Sequence, residues 1–165
     1  MAATLRFASL SDEDALAALD RASWSTLMTP APVPAPGKPF FDEKTFPQDV
    51  LVALVDDEVG GYIKLGRATP LPASDHVVHI TGLVVGEAFR RQGAGRLLLE
   101  AAAEQARAQG ARRLTLRVLG NNEGARRLYE SAGFAVEGVF AGEFFLDGAY
   151  VDDVAMALDL TADIS

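Results

Sequence analysis

Apolar and polar positions alternate at the start of the chain. Thr4–Ser9 (TLRFAS) reads as a short strand with period-two patterning. Ser11 then fits a helix N-cap, and Asp12, Glu13 and Asp14 suit the positive end of a helix dipole. The spacing predicts a helix over 12–22 that buries Ala15, Leu16 and Leu19. The pattern then lapses. Six of the eight prolines (Pro30, Pro32, Pro34, Pro36, Pro39 and Pro47) fall in one stretch, so 23–47 is expected as a long loop with at most a short helix. Long loops in compact domains often serve as lids, and Trp24, Phe40 and Phe41 are candidates either to line a pocket there or to pin the loop to the core. Val50–Val55, turned by Asp56-Asp57-Glu58 into Val59–Ala68, reads as a hairpin, and His76–Val85 as a third strand. Gly82 inside that strand implies a bulge or a close backbone approach.

Helical patterning returns over 94–109, with Leu97, Leu98, Ala101 and Ala102 on one face and Gly110 at the C-terminal cap. Leu114–Leu119 is a strand. Asn121 or Asn122 caps a second helix, Glu123–Ser131, whose Ala125, Leu128, Tyr129 and Ala132 share a face. Phe134–Phe140 and Gly142–Leu146 are strand-like, Asp147-Gly148 signals a hairpin turn, and Tyr150–Leu160 is the last strand. The order β-α-loop-β-β-β-α-β-α-β-β implies an α/β chain with a twisted mixed sheet and helices on both faces. A length of 165 residues suits one domain over 1–165.

Composition narrows the chemistry. Cysteine is absent, which removes disulfides, thiolate metal sites and cysteine nucleophiles. Two histidines, His76 and His79, and no H-E-x-x-H pattern leave a metal unsupported. No apolar run is long enough for a bilayer and no signal peptide is visible, so no membrane association and a cytoplasmic location are expected. The net charge of −8 disfavours nucleic acid and would attract a cationic amine, although solubility alone also accounts for it.

Against that acidic background, Arg90, Arg91 and Arg96 crowd the junction between the third strand and the following helix, with Gly93 and Gly95 among them. The first turn of a helix presents unpaired amides and partial positive charge, and glycines let a ligand approach the backbone. Basic residues oppose that dipole unless an anion compensates, so the segment reads as a pyrophosphate cradle. Solvated arginines at a helix start are the bland alternative. The dinucleotide and Walker patterns both fail here.

Arg90-Arg91-Gln92-Gly93-Ala94-Gly95 is similar to the [Q/R]-x-x-G-x-[G/A] motif of the GNAT (GCN5-related N-acetyltransferase) superfamily. Asn122 through Phe134 resembles that family's N-x-x-A-x-x-L-Y-x-x-x-G-F signature. The resemblance covers most of the chain, with little signature in the N-terminal third. It implies the acyl-CoA N-acyltransferase fold, acetyl-CoA as cofactor, and a small-molecule, polyamine or peptide amine as acceptor, with dimers frequent in the family. A non-catalytic acyl-CoA sensor of the same fold is the second reading, and a nucleotide-binding protein the third.

By the same resemblance, Leu83, Val84 and Val85 would pair with the pantetheine arm, a backbone amide near Val84 or Val85 polarising the thioester. Arg90, Arg91, Gln92, Gly93, Ala94, Gly95 and Arg96 would hold the pyrophosphate. Asn122 would bond the arm, Ala125 would allow its passage, and Tyr129 would protonate the thiolate. Tyr129 also reads as an ordinary core tyrosine beside Ala125 and Leu128. The acceptor amine needs a base, for which His79 leads Asp75, His76 and Glu87, although a hydrogen-bonded or exposed histidine without that role is the more ordinary reading of His79. The run from Asp147 to Met156 resembles the D-G-x-Y-x-D-x-x-x-M ending of the N-terminal, polyamine and phosphinothricin-type branch. There Glu143, Tyr150 and Asp152, with Trp24 and Phe41, are candidate acceptor contacts; Tyr150 and Asp152 are equally readable as one solvated strand face.

Overall fold

The period-two stretches form strands β1 (Thr4–Phe7), β2 (Val50–Val55), β3 (Glu58–Gly66), β4 (Val77–Val85), β5 (Arg113–Leu119), β6 (Ala135–Leu146) and β7 (Ala149–Asp159). The amphipathic ones form α1 (Glu13–Ser23), α2 (Ala94–Ala108) and α3 (Glu123–Ser131). This is a computed structural model that describes residues 3–161. The strands make one mixed sheet in the order β1-β2-β3-β4-β5-β7-β6. No helix among the described residues is long and apolar enough to cross a membrane.

The chain divides into two compact units. The first contains the residues up to Trp24, Val33–Gly66 and Thr81–Ala102. The second contains Ser25–Pro32, Arg67–Ile80 and the residues from Ala103 onward. In the first, β2 runs antiparallel to both β1 and β3. Its turn places Asp56 (φ 53°) and Asp57 (φ 62°) in the left-handed region, as a tight two-residue hairpin requires. Leu16, Phe40, Val50, Val52 and Tyr62 form the core there. In the second unit, β7 pairs with β5 over Arg113↔Asp159 to Leu119↔Asp153, and with β6 on its other side. Leu114, Leu116, Val118, Val154 and Met156 are buried along that β5–β7 pair. The β4–β5 ladder is parallel and short: it runs from Val77↔Arg113 to His79↔Thr115, while β4 itself continues to Val85.

Several expected boundaries move. The helix start is set by Asp12 rather than Ser11. A 3-10 turn over Leu10–Asp12 precedes α1, and the Asp12 carboxylate accepts the Ser9 amide at 2.8 Å and both Arg6 guanidinium nitrogens at 2.7 and 2.9 Å. Ala15 is exposed, and Ala17 packs on the core instead. The buried stripe of α2 lies one residue further on than expected, at Leu98, Leu99, Ala102, Ala103 and Ala106. The two strand segments expected around residue 141 are one strand, β6, with irregular pairing between Phe140 and Phe144 and Gly142 at φ 61°.

Candidate functional site

β4 leads into the basic loop. Leu83, Val84 and Val85 close the strand half-buried, with Val84 packed against the first core. Glycine on β3 makes that packing possible: a Cβ at Gly61 would stand 2.8 Å from the Val84 carbonyl oxygen. The Gly86 amide donates to the Gly60 carbonyl at 2.8 Å, which anchors the loop entry. A 3-10 turn, Glu87–Phe89, follows. Arg90 is extended, Arg91 turns left-handed at φ 64° and Gly93 does so at φ 80°. Left-handed residues within a turn direct successive amides into a shared concavity that suits an anion.

The Gly93 carbonyl accepts the Leu97 amide at 3.0 Å, so α2 begins there and the amides of Ala94, Gly95 and Arg96 form its first turn. A Cβ built on Gly93 would meet nothing within 4 Å, so the backbone is open on that side. The loop is braced from within, Arg90 Nε donating to Val85 O at 3.3 Å and Gln92 Nε2 to Ala88 O at 3.2 Å. Among the described residues no ion pair involves Arg90 or Arg91, while Arg96 pairs with Glu100 at 3.0 Å. Arg96 thus spends charge on its own helix; Arg90 and Arg91 are the cations presented by the loop.

In the second unit, Asn122 caps α3 by accepting the Ala125 amide at 3.2 Å. Its side-chain amide donates to Met28 Sδ at 3.7 Å, a weak acceptor that a carbonyl would readily replace. Tyr129 is buried, with its ring 6.0 Å from that of Phe134. Burial pushes its hydroxyl up to about 12. It therefore holds its proton throughout the neutral range but is a weaker acid than a free tyrosine. His79 Nδ1 lies 2.7 Å from Thr115 Oγ1. Burial, and then the positive Arg117, pull its pKa below the usual value, so the ring is neutral at pH 7. Of the other bases considered, Asp75 is paired with Arg67 at 2.6 Å, and Glu87 sits on the turn that opens the loop.

The expected acceptor contacts separate into two groups. Trp24 is half-buried at the C-terminus of α1. Phe41 packs edge-on to Phe40 at 5.1 Å, and Phe40 does the same to Tyr62 at 5.0 Å, so these rings pin the proline-rich segment to the first core. Glu13 secures that anchoring by accepting the amides of Phe40 and Phe41 at 2.8 and 3.2 Å. Glu143 is exposed on β6. Tyr150 is 77% exposed and stacks on Phe145 at 5.0 Å. The Asp152 carboxylate accepts the Gly142 amide at 2.9 Å and so stabilises the β6 irregularity. Sequence reasoning missed Glu13, Thr115, Arg117 and the Tyr62–Asp20 hydrogen bond. Their partners lie far away along the chain, where no local pattern reaches.

A model of the acetyltransferase (GNAT) family matches residues 15–134. The chain belongs to the GNAT acetyltransferase family. The cosubstrate of GNAT enzymes is acetyl-CoA. A mycothiol acetyltransferase of Corynebacterium diphtheriae is 43% identical over 63 residues, 38% of this chain and 20% of that protein. The matched stretch thus spans a fifth of that relative's length. A Streptococcus mutans protein has the same fold at TM-score 0.85 and 29% identity, over 95% of this chain and 99% of that one. A GNAT phosphinothricin acetyltransferase of Sinorhizobium meliloti, solved in complex with AcCoA, shares the fold at TM-score 0.81 and 21% identity, over 96% and 89% of the two chains.

Proposed function

We propose that this GNAT chain is one acetyltransferase domain that moves the acetyl group of acetyl-CoA to a primary amine by direct attack. The observation that carries the reading is the Arg90–Gly95 turn. It has two left-handed residues, a first helical turn of amides behind them, and two arginines with no carboxylate partner among the described residues, in a chain of net charge −8. A pyrophosphate fits those donors and that charge. Acetyl-CoA would supply an activated acyl thioester. Arg90, Arg91 and the amides around Gly93 would hold its phosphates. The Val84–Val85 backbone, on the part of β4 that outruns its ladder with β5, would offer amides to the extended arm and to the thioester oxygen. Asn122 would use its side-chain amide on the same arm.

In the transfer, the amine nitrogen forms a bond to the acyl carbon, the carbon–sulfur bond breaks, the thiolate gains a proton and the ammonium loses one. Neutral His79 would take the amine's proton. Tyr129 would donate toward the thiolate. With the tyrosine near 12 and a thiol near 8.5, full proton transfer costs about 5 kcal/mol, so the principal contribution of Tyr129 would be a hydrogen bond that stabilises the leaving sulfur.

Replacing Tyr129 with Phe tests the reading. The kcat should fall about a hundredfold while acetyl-CoA affinity, measured by calorimetry, holds within about twofold. A sensor of the same fold would lose nothing, and a protein that binds ATP or NAD in place of acetyl-CoA would end the proposal. The base has its own test. The acid limb of kcat/KM for the amine should have its midpoint below 6.5, because burial lowers the His79 pKa, and it should vanish in His79→Gln. Stability should show the same sign. The unfolded chain binds a proton that folded His79 resists, so stability falls as pH drops below 6.5 through the folded pKa, and this component is absent from the variant.

A further inference from the structure

The first unit has a partly open cavity of about 110 Å³ among α1, the proline-rich segment and β3. Its charged lining is Asp20 and Arg21 from α1, Lys38 and Asp42 from the segment, and Lys64 from β3. Both carboxylates keep their charge while accepting hydrogen bonds from neutral donors. Asp20 accepts the hydroxyl of buried Tyr62. Asp42 accepts the amides of Lys44 and Thr45 at 2.8 and 2.9 Å, which hold its carboxyl below the ordinary range. Among the described residues no ion pair involves Arg21, Lys38 or Lys64. Three cations and two carboxylates therefore line the cavity, one net positive charge in an acidic chain, with Lys64 also close enough to favour the charged form of Asp42.

The walls are held before any ligand arrives. Glu13 grips the Phe40 and Phe41 amides, and Lys64 Nζ sits 5.3 Å from the centre of the Phe40 ring. The cavity also adjoins the strand proposed to present the thioester. A Cβ at Gly82 would stand 3.0 Å from Lys64 Cε and 3.6 Å from Tyr62 Cε1, so the lysine stem lies against β4 one residue before Leu83. The volume holds several waters and has room for a carboxylate with a few carbons.

We propose that this cavity seats the anionic end of the acceptor, and that the acceptor is a small amine bearing a carboxylate, such as a free amino acid. The assignment rests on the acetyltransferase reading and narrows it. Acidic composition favours a cationic acceptor; the local charge balance next to β4 favours the opposite at this end.

The test compares glycine, alanine, serine and methionine with their carboxamides as acceptors. Free acids should have kcat/KM about tenfold or more above the amides. Lys64→Met keeps the stem and removes the charge. It should raise KM for the acids about tenfold and erase the preference, with KM for acetyl-CoA unchanged. Lys44→Met, on the same segment but outside the cavity lining, should change neither. Calorimetric titration of the amino acids into the CoA-bound protein supplies a second readout, in which Lys64→Met should weaken binding by a similar factor. Amides that match acids, or a Lys64 variant that slows both series equally, would overturn the assignment. Acetyl-CoA binding with no amino acid bound or acetylated would overturn it while leaving the acetyltransferase reading intact. Lys64-dependent amino acid binding without any acetylation would support the cavity and sink the acetyltransferase reading.

Discussion

Two turns of the first unit force side-chain-bearing residues into left-handed conformations, and they differ in what repays the strain. At Asp56-Asp57 the turn closes the β2–β3 hairpin, and the ladder Val55↔Glu58 onward returns hydrogen bonds at once. At Arg91 and Gly93 the chain passes from β4 into α2 with no hairpin to close. A non-glycine residue in that region costs about 1–2 kcal/mol. Under the proposed function, a phosphate held by the backbone amides and the two arginine charges at Arg91–Gly93 would offset that strain.

The largest test of this contrast is Gly93→Val. A β-branched residue at φ 80° cannot hold the turn, while a Cβ there clashes with nothing, so the fold should survive. Losing one or two charge-assisted amide contacts should weaken acetyl-CoA binding about a hundredfold by calorimetry. Arg91→Gly is next. It relieves strain but gives the unfolded chain more freedom, so the melting temperature should barely move, whereas loss of the guanidinium should cost about tenfold in affinity. A large stability change with unaltered affinity would make Arg91 an ordinary turn residue. Asp57→Gly should do least, shifting stability by less than about 1 kcal/mol with no change in acetyl-CoA affinity. If Asp57 and Arg91 variants behaved alike in both measurements, the distinction between the two turns would be lost.

Legibility followed range. The β2–β3 and β6–β7 turns, the α3 cap (read as Asn121 or Asn122, and found at Asn122), the Gly110 cap and the basic loop are settled by neighbours within a few residues, and each was readable to that extent. Gly82 was read as a bulge or a close backbone approach; what stands beside it is the ends of the Lys64 and Tyr62 side chains, which the sequence could not name. The α2 stripe was misplaced by one residue, because a run of alanines and leucines is apolar on nearly every side and only packing chooses the face. Aromatics in the proline-rich segment marked it as anchored or functional. That Phe40 enters the core, and that Glu13 supplies the amide acceptor, depends on contacts 27 and 28 residues apart.

By itself the sequence determined the element order and the two motifs, since the first rests on local periodicity and capping and the second on residue identity at fixed spacing. Tertiary structure alone decided the acidity of Tyr129 and His79, because burial and the Arg117 charge are properties of the folded surroundings. It also decided that Arg21, Lys38 and Lys64 meet around one cavity. They come from a helix, a loop and a strand, and only long-range packing can sum their charges in one place.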